Sequence, residues 1–497
     1  MGDLSYALND VIFAMKVATS LYFSNFYHTI ILHGKMLNLC YFCSCYSNIA
    51  NPIPLKTSIS YSKIWSIAYP IIIGSVAQNV INVTDTAFLG RLGEVALGGG
   101  AIGGLFYMAL IMLGWGFGVG TQIVVARRFG EGQLRPIGRT IEHGFFFLMA
   151  LALVIFTTVK LFGGDLLLSI VDSENVVSTS NEFIRFRIWG IFFAHTNFLF
   201  RAFYVGIGRT RVITLTTLVM VAVNVFLDYA LMFGNFGFPE MGVSGAALAS
   251  VIAELSCMLA FFAYTILRVP TYKFRLFRFS VFSFPLLARI LKVSIPMMLQ
   301  NFFSFSVWFV FFLIIEKMGE SELAISNIIR SIYVILLIPI MGFASATSSL
   351  VSFVIGKGRE KEVLWTIGKI LVLCVAGVLF IVLFCSSFPE LLLSVYTTKN
   401  HLIDLGVPLV YVISISAVLL GFGFILFSGV SGTGKTNVSL AIEIIVLLVY
   451  VAFTAVMVGY FNVSITVVWT VEILYGLILS VVSFVYLKSK RWIGAGV

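Results

Sequence analysis

Residues 63–88, KIWSIAYPIIIGSVAQNVINVTDTAF, decide the fold of this chain. Their only charged side chains are Lys63 at the start and Asp85 near the end. A helix of about 20 apolar residues crosses the hydrocarbon core of a bilayer. Eleven similar stretches follow, near 97–126, 139–162, 183–205, 212–234, 243–267, 288–315, 323–354, 364–387, 405–429, 437–460 and 463–487. We therefore predict an all-α polytopic membrane protein with twelve transmembrane helices.

The overall composition agrees with this prediction. Hydrophobic residues make up 60% of the 497 residues, charged residues make up 11%, and the mean hydropathy is +1.04. Soluble proteins are about 45–50% apolar and about 25% charged. Too few polar side chains remain to cover a water-facing surface, which excludes a soluble enzyme, a disordered chain and a disulfide scaffold. Cys40, Cys43 and Cys45 lie close together, but no second His/Cys cluster completes a metal site, so no metal is predicted.

Basic residues gather in alternate loops. Examples are Arg127 and Arg128 after the second stretch, Arg209 and Arg211 after the fourth, and Lys435 after the tenth. This positive-inside pattern predicts a multi-pass protein of the inner (plasma) membrane with both termini in the cytoplasm. The net charge of +10 requires no nucleic acid partner, because the anionic lipids of the inner leaflet account for it.

A shift of 226 residues superimposes one half of the sequence on the other. Pro70 meets Pro296, Gly206 meets Gly432, and Arg209 meets Lys435. Each repeat contains six predicted helices, which places the halves in the same orientation about a pseudo-two-fold axis along the membrane normal. We predict an N-terminal extension over 1–55 without an assigned role, an N-lobe over 56–270 and a C-lobe over 271–497. Two lobes around a cleft are typical of a secondary transporter and predict a monomer without enzymatic activity.

One motif favours a different class of protein. Gly429 through Gly434-Lys435-Thr436 satisfies the phosphate-loop pattern GxxxxGK[ST]. A phosphate loop follows a β-strand, whereas here a predicted membrane helix precedes it. We interpret the motif as a tight turn between helices. A nucleotide-using membrane enzyme, or a receptor-like binding protein, remains the rival from another class.

Ionisable residues inside membrane segments are costly and indicate function. Asp85 lies in the first span, and Asn224 and Asp228 lie four residues apart on one face of the fifth. A low dielectric disfavours an ionised carboxylate, so such a group takes a proton or requires a cation. The alternative is that both aspartates are solvated at helix ends. Arg201 in the fourth span either neutralises one of them or extends to the membrane surface.

Other intramembrane groups point mainly to structure. We expect His195 to be a hydrogen-bonded interior residue. Glu254 faces either the cleft or a packed helix. Glu443 and Glu472 of the second lobe show no partner in the sequence, and a packing role is favoured for both.

Several segments together resemble the multidrug and toxic compound extrusion (MATE) family over residues 60–490. They are Gln78 with Val83-Thr84-Asp85-Thr86 and Gly90, Gly118-Val119-Gly120-Thr121 through Gly130-Glu131-Gly132, Gly206-Ile207-Gly208-Arg209-Thr210, Asn224 through Asp228, and Gly242 through Ser250. The resemblance implies alternating-access export of small organic, cationic compounds in exchange for H⁺ or Na⁺, without another cofactor.

The resemblance also implies roles for particular residues. Asp85, Asn224 and Asp228 correspond to the cation-responsive cluster of the first lobe, and Ser250 stands where relatives commonly carry Thr. Gln78 belongs to the substrate pocket. Pro70 matches the proline at which the first helix of the family bends.

Two departures bear on the mechanism. The family's fourth-span Asn is matched by either Asn197 or Arg201, both predicted to bind substrate. The acidic residues that NorM-like members carry in spans seven and ten are missing, which favours proton coupling through the first lobe. The alternative function is a lipid-linked oligosaccharide flippase of the same superfamily, which a basic cleft around Arg201, Arg330 and Lys369 would favour.

Overall fold

The computed structural model describes residues 59–169, 173–278, 281–461 and 463–494, and within them the chain is helical and contains no strand. The extension predicted over 1–55, with its three cysteines, lies outside the described residues. The first half contains α1 (Tyr61–Leu92), α2 (Glu94–Gly130), α3 (Leu134–Leu168), α4 (Glu174–Arg187), α5 (Gly190–Gly206), α6 (Arg211–Phe233) and α7 (Gly242–Arg268).

The second half begins with the short helix α8 (Thr271–Phe274). It continues with α9 (Phe284–Glu316), α10 (Glu320–Gly356), α11 (Val363–Ser387), α12 (Pro389–Ser394), α13 (Asn400–Gly432), α14 (Thr436–Gly459), α15 (Ile465–Trp469) and α16 (Val471–Lys488). Across the described residues, 11 helical stretches are long and apolar enough to cross a membrane. The predicted all-α polytopic fold is confirmed.

Two predicted spans are interrupted by a short turn. In the twelfth, predicted over 463–487, Thr470 separates α15 from α16. The fourth is interrupted as well. The sequence predicts a single helix over 183–205, but the structure has α4 of 14 residues and α5 of 17 residues, separated at Ile188 and Trp189. Gly190 begins α5, and a Cβ atom at this position would collide with the Arg187 and Glu254 side chains. The prediction of one continuous helix over 183–205 was therefore wrong, and the Arg187–Glu254 pair lies against the break. Together α4 and α5 form the fourth of the twelve spans.

The two halves approach each other closely where α2 meets α10. Gly130 and Gly356 occupy equivalent positions in the 226-residue repeat, and a Cβ built on either lies 3.1 Å from the Cα of the other. A side chain at either position would also meet backbone carbonyl oxygens of the facing helix. Glycine at both positions therefore permits the backbones to touch across the pseudo-two-fold axis.

Hydrogen bonds reinforce this contact between the halves. The Gln122 amide nitrogen donates to the hydroxyls of Ser348 at 3.1 Å and Ser349 at 2.9 Å. Arg127 donates from Nη2 to the carbonyl oxygen of Thr433 at 2.9 Å. These groups lie at one end of the molecule, the end predicted to be cytoplasmic. The halves are therefore joined at that end.

The phosphate-loop pattern lies in a turn between two helices. α13 ends at Gly432 and α14 begins at Thr436, and Gly434 adopts a positive φ of 87°. The equivalent Gly208 of the first half has a φ of 70°. The interpretation of both motifs as tight turns is confirmed.

Candidate cation-coupling site

Helices α1 and α6 are joined at the proline of α1. Pro70 has no N–H, so the carbonyl oxygen of Ser66 lacks the helical hydrogen bond that residue 70 would otherwise donate. Thr210 donates its hydroxyl to this Ser66 carbonyl at 3.4 Å, and Thr214 donates to the carbonyl of Pro70 at 2.7 Å. Two threonines therefore compensate the interruption. They couple the proline of α1 to the start of α6.

The same two helices meet again through carboxyl groups. Asp85 of α1 and Asp228 of α6 lie close enough to interact directly, and Asp228 is completely buried. Two ionised carboxylates have no donor between them, so the pair forms a hydrogen bond only when one group carries a proton. The arrangement can therefore hold a shared proton. The burial of Asp228 contradicts the alternative in which both aspartates are solvated at helix ends.

Asn224 lies one turn from Asp228 and is also completely buried. Both polar atoms of its amide, both oxygens of Asp228 and Oδ1 of Asp85 have no hydrogen-bond donor or acceptor partner in the described part of the chain. Buried polar atoms normally have partners, and leaving them unpaired is costly. This cluster therefore has the oxygen-rich chemistry that suits a proton or a small cation.

A second charged pair lies beside this cluster. Arg187 and Glu254 form a bidentate ion pair, with Nη2 to Oε1 at 2.6 Å and Nη1 to Oε2 at 3.0 Å. The Arg187 guanidinium also lies 3.7 Å from the centre of the Tyr107 ring. Arg187 is close enough to Asp85 to interact with it electrostatically. The site thus contains a fixed positive charge that the sequence analysis did not assign.

Arg187 could have been recognised from the sequence. It lies inside the predicted fourth span, and Glu254 lies inside the predicted sixth span. Opposite charges in membrane segments tend to pair, because an isolated charge there is costly. The sequence is compatible with Glu254 facing either the cleft or a packed helix, and the structure places it in this ion pair.

The remaining predicted site residues occupy different surroundings. Gln78 lies two turns before Asp85 on the same face of α1 and is exposed. Asn197 of α5 donates its amide to the backbone carbonyl of Glu254 at 2.9 Å. Ser250 lies half-buried on α7, one turn before Glu254. Substrate binding by Gln78 and Asn197, and cation coupling by Ser250, stay predictions.

Of the two alternatives for Arg201, a pairing with an aspartate is not formed among the described residues. Its guanidinium lies 4.8 Å from the centre of the Trp115 ring, and Arg187 is the cation beside Asp85. The two arginines project from separate segments of the broken fourth span, so they reach different neighbours. His195 is fully buried and its Nδ1 contacts the carbonyl of Leu148 at 3.2 Å, as expected for an interior histidine.

The second half contains two buried carboxyl groups for which the sequence revealed no partner. Glu472 accepts hydrogen bonds from the hydroxyls of Tyr333 at 2.5 Å and Tyr450 at 2.8 Å. Glu443 accepts from Ser304 at 2.5 Å and Tyr475 at 2.9 Å. Donors up to 139 residues away in sequence pair with both groups, while Oε2 of Glu443 has no hydrogen-bond partner among the described residues. These bonds support the expected structural role.

The fold and the site define a multi-span membrane transporter built from two repeated helical halves. The sequence matches the MatE family over residues 70–230 and again over 296–456. The chain belongs to this family. Its two matches are offset by the same 226 residues that relate the halves, which confirms the internal repeat.

Known relatives cover most of the chain. The probable multidrug resistance protein NorM of Thermotoga maritima is 27% identical over 460 residues, which are 90% of this chain and 96% of the relative. The probable multidrug resistance protein NorM of Agrobacterium fabrum is 26% identical over 333 residues, 65% of this chain and 70% of the relative. A solved structure described as the outward-facing conformation of a multidrug resistance MATE family transporter of the MOP superfamily has a TM-score of 0.80 at 22% identity, covering 86% of this chain and 95% of that one.

Proposed function

We propose that this protein exports small organic cations across the plasma membrane in exchange for protons, by alternating access. The contact between Asp85 and Asp228 carries this proposal. The two carboxyl groups can share one proton, and release of that proton adds a negative charge inside the lobe. Family membership and the NorM relatives support multidrug export as the activity.

Coupling follows from the charge of the carboxyl pair. With a proton bound, the pair carries one negative charge, which lies near the Arg187–Glu254 ion pair. When the proton leaves, two negative charges lie in contact and repel each other, and an organic cation lowers the resulting energy. Proton and substrate then favour different states of the same site, so the binding of one promotes the release of the other.

The proline of α1 gives this charge change a mechanical consequence. Thr210 and Thr214 hold the helix to α6 at Pro70, and the carboxyl pair holds it to α6 near its other end. Loss of the carboxyl contact leaves the part of α1 beyond Pro70 without this attachment. Because a proline interrupts helical hydrogen bonding, this residue is a natural hinge.

A proton suits the site better than Na⁺. Sodium would have to be held by several oxygens at once, from Asp85, Asp228 and Asn224, beside the Arg187–Glu254 ion pair. A proton on a carboxyl group forms a covalent bond and needs a single acceptor. The acidic residues missing from spans seven and ten favour the same ion.

The flippase alternative depends on a basic cleft around Arg201, Arg330 and Lys369. Arg201 lies against Trp115, Arg330 lies 5.1 Å from the centre of the Phe312 ring, and Lys369 donates to the carbonyl of Ile59 at 2.9 Å. The three cations have separate partners and do not form one cluster among the described residues.

The test uses inverted membrane vesicles that contain the full chain, Asp85→Asn, Asp228→Asn or the double variant. Ethidium uptake is followed after a pH gradient is imposed and, separately, after a Na⁺ gradient. We expect uptake driven by the pH gradient alone and lost in each variant. The exposed Asp404→Asn provides a matched control with the same chemical change, and it should transport normally. Normal uptake by the double variant would refute the proposed site, and uptake driven only by Na⁺ would refute proton coupling.

A further inference from the structure

A cavity of about 420 Å³ opens at the end of the molecule that is predicted to be cytoplasmic. One wall comes from the first half, at the end of α2 and the start of α3. The opposite wall comes from Arg275, Val281 and Ser283 and from the first turns of α9. The amide of Ser283 donates to Nε2 of His143 at 2.8 Å and joins the two walls. The cavity therefore lies across the junction of the halves.

The lining of this cavity is strongly basic. Five arginines line it, namely Arg128, Arg135, Arg139, Arg275 and Arg289, and its lining contains no Asp or Glu. Arg128 pairs with Glu131 at 3.0 Å. The other four form no ion pair among the residues that the structure describes. Their combined positive charge is available to an anion.

Two long helices begin at the same cavity. α3 contains 35 residues and α9 contains 33, and neither has an acidic residue in its first turn or a hydrogen bond from its N-cap side chain. The N-terminal N–H groups of a helix carry partial positive charge and favour anions. Both helix ends add to the field of the arginines. Arginine in particular matches phosphate, because its planar fork donates two parallel hydrogen bonds to phosphate oxygens.

Apolar side chains also line the cavity. Val281 is 93% exposed, and the partly exposed Leu286 is part of the lining. A free phosphate ion would gain nothing from these apolar side chains. A phospholipid places its phosphate among the arginines and its acyl chains along the apolar residues.

We propose that this cavity binds the phosphate group of an anionic phospholipid from the cytoplasmic leaflet. Basic pockets between transmembrane helices on that side of a membrane suit such headgroups. Because the cavity draws cations from both halves, a bound headgroup connects the start of α3 to the start of α9. The lipid thereby stabilises the junction between the repeated halves.

The experiment measures the thermal stability of the purified full-length protein in a neutral detergent against increasing phosphatidylglycerol. Phosphatidylcholine and inorganic phosphate are titrated in parallel. The pocket variant is Arg135→Gln with Arg289→Gln, one arginine from each wall. The control variant is Arg211→Gln with Arg268→Gln, which removes the same charge from exposed residues at the same end.

Phosphatidylglycerol should raise the melting temperature of the wild-type protein, and phosphatidylcholine should not. The pocket variant should need about thirtyfold more phosphatidylglycerol for half of the effect, about fivefold for each arginine. The control variant should match the wild type. An equal loss in the control would refute a specific site, the same rise with inorganic phosphate alone would refute the lipid assignment, and no rise with phosphatidylglycerol would refute both. Each outcome is independent of proton coupling at Asp85.

Discussion

Removal of Arg187 should destabilise the protein more than removal of Arg187 and Glu254 together. Their side chains are 12% and 13% exposed, so neither charge is well solvated. Removing one partner of a buried ion pair costs about 3–5 kcal/mol, because the other charge stays behind without compensation. The contact of Arg187 with the Tyr107 ring adds about 1 kcal/mol. We expect Arg187→Gln to cost about 4 kcal/mol, and Arg187→Gln with Glu254→Gln to cost roughly half of that.

The assay is thermal unfolding of the detergent-solubilised protein. The measured quantity is the fraction of protein that stays monodisperse as the temperature rises. A chain of 497 residues has an unfolding entropy on the order of 1 kcal/mol/K, so the single variant should melt about 4 °C lower than the wild type. The exposed Arg185→Gln on the same helix is the control and should change the melting temperature by less than about 1 °C. The melting temperatures of Arg187→Gln, Glu254→Gln and the double variant are compared. If the decrease in the double variant equals the sum of the decreases in the two single variants, the two residues are not energetically coupled and the reasoning is wrong.

Three further variants test the junctions described above. Thr214→Val removes the hydroxyl that donates to the carbonyl of Pro70 and should cost about 1 kcal/mol, measured as a lower melting temperature together with slower dye uptake. Gln122→Leu removes hydrogen bonds between the halves. It should increase thiol labelling of a cysteine introduced at the predicted cytoplasmic end, where the halves are joined. Unchanged labelling would contradict a role of these hydrogen bonds in joining the halves. Gly356→Val places a side chain against the backbone near Gly130, so transport should fall in vesicles that contain normal amounts of protein. The control is Gly368→Val, where nothing lies within 4 Å of the added Cβ, and it should transport normally.

Most of the fold could be predicted from the sequence, because hydrophobic length is a local property. Each span reads as about 20 apolar residues regardless of its neighbours. The fourth span departed from this rule. It breaks at Ile188 and Trp189, beside the contact between Gly190 and the Glu254 side chain of another helix. Apolar pattern alone does not contain that information.

The candidate site was predictable in part for a similar reason. The cost of charge in a membrane singles out Asp85 and Asp228 from their positions in apolar segments. Which positively charged side chain lies beside these aspartates depends on how the helices pack. From the sequence, Arg201 is one candidate for the cation beside the aspartates. In the structure, Arg201 lies against Trp115, and Arg187 lies beside Asp85.

The sequence by itself determined the membrane class, the repeat of 226 residues and the two acidic residues of the first half, since composition, periodicity and the cost of buried charge act along the chain. Only the tertiary structure decided that Asp85 contacts Asp228, that Glu472 is held by Tyr333 and Tyr450, and that arginines from both halves line one cavity. These contacts join residues far apart in sequence. Their existence depends on how the helices pack, which no local pattern specifies.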